Sequence, residues 1–101
     1  MNGPAQDMPP DPAFSVHHKP ALQRFEVDLG GQLGVLDYRL QGARMEILHT
    51  GVPRELEGRG IAARLVQAAL AHARAEGLKV LPSCSYVASY IRRHPESADL
   101  L

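Results

Sequence analysis

From residue 24 to residue 52 apolar side chains recur at every second position; from residue 61 they recur every three to four positions. That one change of period restricts the chain to a mixed fold, strands first and a helix crossing over them afterwards. Arg24-Phe25-Glu26-Val27-Asp28-Leu29 alternates strictly, with Phe25, Val27 and Leu29 on one face of a half-buried strand. Gly30-Gly31 supplies the positive-φ positions of a tight hairpin. A second strand follows over residues 32–40. Its apolar parity slips between Val35 and Leu36, which predicts a bulge at Gly34. Gln41-Gly42 turns the chain into a third strand over residues 45–52.

Beyond the connection, Ile61, Leu65, Ala69 and Ala73 form one row, with Ala62, Val66 and Leu70 beside it, while Arg64, Gln67 and Arg74 fall outside the stripe. This predicts an amphipathic helix over residues 61–76, stopped by Gly77. A short buried strand, residues 78–81, ends at Pro82. Tyr86, Val87, Tyr90 and Ile91 then predict a second helix over residues 84–94, halted by Pro95. The third strand, first helix and fourth strand form a right-handed β-α-β crossover that pairs in parallel. The expected fold class is α+β: an antiparallel three-stranded meander continued by one parallel strand, with two main helices.

With 101 residues the chain is read as one domain, residues 14–101, preceded by a loose tail, residues 1–13, that carries Pro4, Pro9, Pro10 and Pro12. The formal charge is zero and the two signs are interspersed, which gives no electrostatic reason to expect nucleic acid or a membrane surface as partner. No apolar run approaches the ~20 residues that span a bilayer, and the first residues lack the pattern of a secretory signal. Cys84 is the only cysteine, so no intrachain disulfide can form, and a cytoplasmic location is expected. His17, His18, His72 and His94 show no metal-ligand spacing with Cys84, and no metal is expected.

Between strand and helix lies Val52-Pro53-Arg54-Glu55-Leu56-Glu57-Gly58-Arg59-Gly60-Ile61-Ala62. Glycines there let a ligand approach the backbone. The first N–H groups of the helix lack intrahelical partners, and the helix dipole adds positive potential. The result is an anion site suited to a phosphate or pyrophosphate, with Arg54 and Arg59 able to add charge-assisted contacts. On spacing alone, glycines that merely shape a connection fit equally well. A P-loop is excluded because no Gly-Lys-Ser/Thr ends the segment. A dinucleotide fingerprint is disfavoured because residues 78–83 contain no acidic partner for a ribose.

The segment Glu57-Gly58-Arg59-Gly60-Ile61-Ala62, placed after a strand and opening a long helix, resembles the acetyl-CoA pyrophosphate loop of the GNAT acetyltransferases, Gln/Arg-x-x-Gly-x-Gly/Ala. Gly60-x-Ala62 matches, and Glu57 departs from the usual Gln or Arg. Together with His49-Thr50-Gly51-Val52-Pro53, Gly77-Leu78-Lys79-Val80, Pro82-Ser83-Cys84-Ser85-Tyr86-Val87 and Tyr90-Ile91-Arg92-Arg93-His94-Pro95-Glu96, it is similar to the short YjdJ-type members over residues 25–101. The resemblance implies a minimal GNAT-like fold in which the cofactor half is present and most acceptor-side elements are missing. It implies that residues 48–52, with Leu48, Thr50 and Val52, lie beside the pantetheine arm and that Gly58, Arg59, Gly60, Ile61 and Ala62 lie at the pyrophosphate; Pro53, Arg54 and Glu57 complete the expected cofactor-binding set.

Three side chains are the main candidates for the chemistry. His49, of a side-chain type suited to proton transfer near neutral pH, stands beside them, but its face is shared with apolar residues and a hydrogen-bonded core histidine fits it at least as well. Cys84 stands at the start of the second helix, where the dipole favours thiolate and Ser83 or Ser85 can cap. It is read as proton donor to the leaving sulfur, contact to the acetyl arm, acyl carrier, or simply a small packing residue. By the resemblance Glu46 borders the cofactor and is a candidate base; strict alternation sets it with Leu48 and Thr50, opposite Met45, Ile47 and His49. Tyr86 is a candidate acid, although core packing accounts for both Tyr86 and Tyr90. The expected activity is acetyl-CoA-dependent N-acetyl transfer to a primary amine of a protein, peptide or small molecule, by direct attack on the thioester. The alternative is a non-catalytic CoA- or acyl-CoA-binding module.

Overall fold

Alternating apolar residues interrupted by glycine turns form strands because each strand can bury one face while its backbone pairs sideways. In the computed structural model, which describes residues 14–101, they do so as β1 (His17–Lys19), β2 (Arg24–Leu29), β3 (Gln32–Gln41) and β4 (Arg44–Gly51), followed by α1 (Ile61–Ala75), β5 (Lys79–Pro82) and α2 (Ser85–Arg93). The tail expected over residues 1–13 lies outside the described residues. Five strands make one sheet in the order β1-β2-β3-β4-β5. The first three pairings are antiparallel and β4 pairs β5 in parallel. The α+β class, the meander and the parallel crossover match the expectation. Strand β1 is an addition. Three residues carry no readable period, and this strand is held by tertiary contacts: His18 stacks on Phe25 at 4.1 Å, and its Nε2 lies 2.7 Å from the Tyr38 hydroxyl.

The expected bulge at Gly34 is corrected. Gly34 pairs regularly with Val27, and Gly34, Leu36 and Tyr38 are all buried on one face, so the parity of β3 never slips. Gly34 serves close packing instead: a Cβ there would lie 3.0 Å from Ile61 Cγ2 and 3.8 Å from the Gly51 carbonyl oxygen. It lets the first residue of α1 and the last of β4 converge on one point. The irregularity falls on β4, where Tyr38 pairs with Ile47 but Asp37 pairs with His49, leaving Leu48 without a partner on β3. Cross-strand partners share a face, so beyond Leu48 the faces exchange. Thr50, opposite buried Leu36, turns to the core side, and His49, opposite Asp37, turns away from it. The assignment of Thr50 to the face of Glu46, and of His49 to the face of Met45 and Ile47, is therefore reversed.

Both helices bury their stripes on one face of the sheet. Ile61, Leu65, Val66, Ala69, Leu70 and Ala73 of α1 and Val87, Tyr90 and Ile91 of α2 join Phe25, Val27, Leu36, Met45, Ile47 and Val80 in a single core. A turn of 3-10 helix, Pro95–Leu100, closes that layer through Leu100. The opposite face carries Glu26, Asp37, Arg39, Glu46, Leu48 and Leu81, none of them buried, and no described element covers it. The described residues thus form two layers and leave one side of the sheet uncovered. No helix among the described residues is long and apolar enough to cross a membrane.

Candidate cofactor and acyl-transfer site

The connection from β4 to α1 ends in two glycines with left-handed backbones, Gly58 at φ +82° and Gly60 at φ +78°. An L side chain adopts this conformation only under strain, which explains glycine at both positions. A Cβ at either would meet nothing within 4 Å, so the space in front of them is open. Gly60 caps α1 without any side-chain hydrogen bond, and no acidic residue stands in the first turn. The first helical amide to find a carbonyl is that of Arg64, bonded to Gly60 at 3.1 Å. The amides of Ile61, Ala62 and Ala63 have no backbone partner among the described residues. Exposed Arg54 and Arg59 flank them and form no ion pair among the described residues. An uncapped helix start with open space and two free cations fits a diphosphate.

The same end of the sheet is split. Strand β5 accompanies β4 from Arg44 to Ile47, where Pro82 is the last partner. Proline has no N–H and cannot extend the ladder. The Cys84 amide makes one more bond, to the Ile47 carbonyl at 3.0 Å, before the chain turns into α2. Residues 49–51 are left paired with β3 only and Leu48 with neither neighbour, and such an edge presents unpaired N–H and C=O groups. Because Gly34 lies against both Ile61 and Gly51, this uncovered edge and the start of α1 sit side by side. The positions expected beside a pantetheine arm, residues 48–52, and those expected at a pyrophosphate, residues 58–62, therefore lie at one end of the sheet, with Pro53, Arg54 and Glu57 in the connection between them.

Cys84 stands in the split as the N-cap of α2. Its thiol donates to the Thr50 hydroxyl across 3.7 Å. Burial opposes ionisation of the thiol, but the Val87 amide, the Thr50 hydroxyl and the Tyr86 amide outweigh it, so its pKa lies below the ordinary thiol value. Neither amide makes a capping bond of hydrogen-bond geometry with the side chain; their influence is that of N–H dipoles at a helix start. The expected capping by Ser83 does not occur, because its hydroxyl donates to Glu46 Oε2 at 2.6 Å.

Glu46 lies on the bare face. Besides Ser83 it accepts from Arg39 Nη2 at 2.9 Å, and these two bonds, led by Ser83, hold its carboxyl below the usual range. A carboxylate so engaged binds a proton weakly and is a poor base. Tyr86 is half-buried and packs against the core, while Tyr90 is buried and stacks on His94 at 3.9 Å. Of the three catalytic candidates, only Cys84 is carried into the split by its own backbone bond. The links from Thr50 to Cys84 and from Ser83 to Glu46 were invisible in the sequence, for they span 34 and 37 positions and depend on the parallel pairing. Among the described residues no group of three or more His, Cys, Asp or Glu is arranged to hold a metal.

A strand that leaves its neighbour just before an uncapped, glycine-started helix is the arrangement that the resemblance to the GNAT acetyltransferases implies, and comparison with known proteins tests that resemblance directly. The profile of the GCN5-related N-acetyl-transferase domain matches residues 24–100. The chain is 34% identical over 91 residues to Protein NATD1 of Xenopus tropicalis, covering 87% of this chain and 84% of that one. It is 37% identical over 83 residues to Protein NATD1 of Homo sapiens, covering 79% and 74%. In three dimensions it is similar to a GCN5-like protein from Staphylococcus aureus, with a TM-score of 0.70, 27% identity and 89% of each chain covered. The chain belongs to the GCN5-related N-acetyltransferase family.

Proposed function

We propose that this protein is an acetyl-CoA-dependent N-acetyltransferase that moves an acetyl group to a primary amine. The observation that carries the proposal is the placing of an uncapped α1 start, with Gly58 and Gly60 in left-handed conformation, beside the stretch of β4 that β5 leaves uncovered. Acetyl-CoA supplies the acyl group as a thioester. The free amides of residues 61–63, with Arg54 and Arg59, hold the diphosphate. The open edge at residues 48–51 pairs with the amide groups of the pantetheine arm, and Val52 and Pro53 border it. Cys84, with a thiol that gives up its proton more readily than an ordinary one, donates to the departing sulfur. The amine attacks directly, with no acyl group carried on the protein.

The bare sheet face favours an acceptor of some size, a peptide or protein amine, because nothing described walls off that side. The same bareness is also what a non-catalytic CoA- or acyl-CoA-binding module would show, and that is the second reading. The lone cysteine fits a cytoplasmic setting. Two measurements decide. Titration calorimetry of CoA against wild type and Gly60→Asp should show binding that the carboxylate abolishes; equal affinity removes the cofactor assignment. Radiolabelled acetyl-CoA with a panel of lysine peptides, N-terminal peptides and polyamines should then label an acceptor. Binding without transfer to any of them leaves the module.

A further inference from the structure

The irregularity at Leu48 exchanges the faces of β4 within two residues, and this has a chemical consequence. Thr50 reaches the thiol of Cys84 on the core side, while His49, its neighbour in the chain, emerges on the bare side. The His49 side chain is exposed and forms no hydrogen bond or ion pair among the described residues. It lies within residues 48–51, the stretch that β5 has left, so no strand screens it on that side. Its imidazole leans over Gly51: a Cβ at Gly51 would be 2.8 Å from His49 Nε2, 3.4 Å from Cε1 and 3.7 Å from Cδ2. The backbone there is not left-handed, and a methyl group at position 51 would push the ring aside.

We propose that His49 is the proton acceptor for the incoming amine, which approaches the split from the uncovered face of the sheet. This rests on the transferase reading above. Charged groups around the ring support it by being otherwise engaged. Asp37, its cross-strand partner on the same face, is held by Arg24 at 2.7 Å. Glu46, further along β4, is held by Ser83 and Arg39. Histidine is the side chain suited to proton exchange near neutral pH. As the amine nitrogen bonds to the acyl carbon and the carbon–sulfur bond breaks, the nitrogen's proton passes to His49 Nε2. The sulfur takes a proton from Cys84, and the two residues reset by returning that proton from His49 to Cys84 through solvent. Amide and thiol leave, and no oxidant or further reactant is needed. The two proton-handling groups are set on opposite faces of one strand by a single unpaired residue.

The test measures thiol release from acetyl-CoA with the lysine-peptide and polyamine panel, from pH 6 to pH 10, for wild type, His49→Gln, Glu46→Gln and Gly51→Ala, with CoA affinity measured alongside. His49→Gln should bind CoA as wild type does, lose about a hundredfold in kcat/KM near neutral pH, and recover toward high pH, where hydroxide can take the proton of the attacking nitrogen in its place. Added imidazole should restore part of the loss. Gly51→Ala, which displaces the ring, should show the same profile more mildly, and Glu46→Gln should keep the wild-type profile. Wild-type activity and pH dependence in His49→Gln overturns the role of His49 and leaves the transferase reading standing. CoA binding by wild type with no transfer to any acceptor overturns that reading and this role together.

Discussion

The Cys84 thiol donates to the Thr50 hydroxyl at 3.7 Å, tying the first residue of the α2 turn to the edge of β4 that β5 abandons. The contact places a sulfur and a hydroxyl where the two parallel strands diverge. Its existence depends on Leu48, because without that extra residue Thr50 would face away from α2.

The thiol should therefore report on the site. Alkylation of Cys84 by iodoacetamide should follow a titration centred below the ordinary thiol value of 9.0. Thr50→Val removes a bond that favours the charged form and should move the midpoint upward, with little change in thermal stability. A midpoint that stays put would mean that the helix amides alone tune the sulfur.

Gly60 separates conformational cost from ligand contact. Gly60→Ala meets no atom within 4 Å, so its cost is that of holding alanine at φ +78°, about 1–2 kcal/mol. Urea unfolding should show that loss, with the slope unchanged. A far larger loss would reveal a packing role absent from the structure.

Gly34 behaves differently. A Cβ at this position already sits 3.0 Å from Ile61 Cγ2, and the branches of valine would push α1 off β3. Gly34→Val should cost roughly 1–3 kcal/mol by overpacking and should also weaken CoA binding, because the α1 start moves relative to β4. Binding unaffected by such a shift would detach the helix start from the cofactor site.

Acid should loosen β1. Burial, then the neighbouring His72, lowers the His18 pKa from its ordinary value of 6.5, and the two rings meet edge-on with centroids 4.5 Å apart. A base with a depressed folded pKa stabilises the fold above its unfolded pKa, and that contribution is lost as pH falls through the folded value. The melting temperature should thus drop between pH 7.5 and pH 5. The drop should shrink in His18→Phe, which keeps the stack on Phe25 but cannot take a proton. An equal drop in both proteins assigns the effect elsewhere.

Much of this protein was legible in its sequence because the signals were local. Strand β2 follows from strict alternation over six residues, and α1 from a stripe bounded by Gly60 and Gly77. The open glycine turn before α1 follows from residues adjacent in the chain. Strand β1 was not legible, since three residues cannot declare a period and its stability comes from Phe25 and Tyr38.

The order of elements from β2 to α2, the crossover and the glycine start of α1 were determined by the sequence alone, through periodicity and the backbone freedom of glycine. Which way each side chain of β4 points beyond Ile47 was decided only in three dimensions. Pairing with β3 fixes a register that leaves Leu48 unmatched, and one unmatched residue inverts every face after it. Thr50 thereby meets Cys84 and His49 meets solvent. Contacts between residues so far apart in the chain have no local signature, because they are products of the packed sheet.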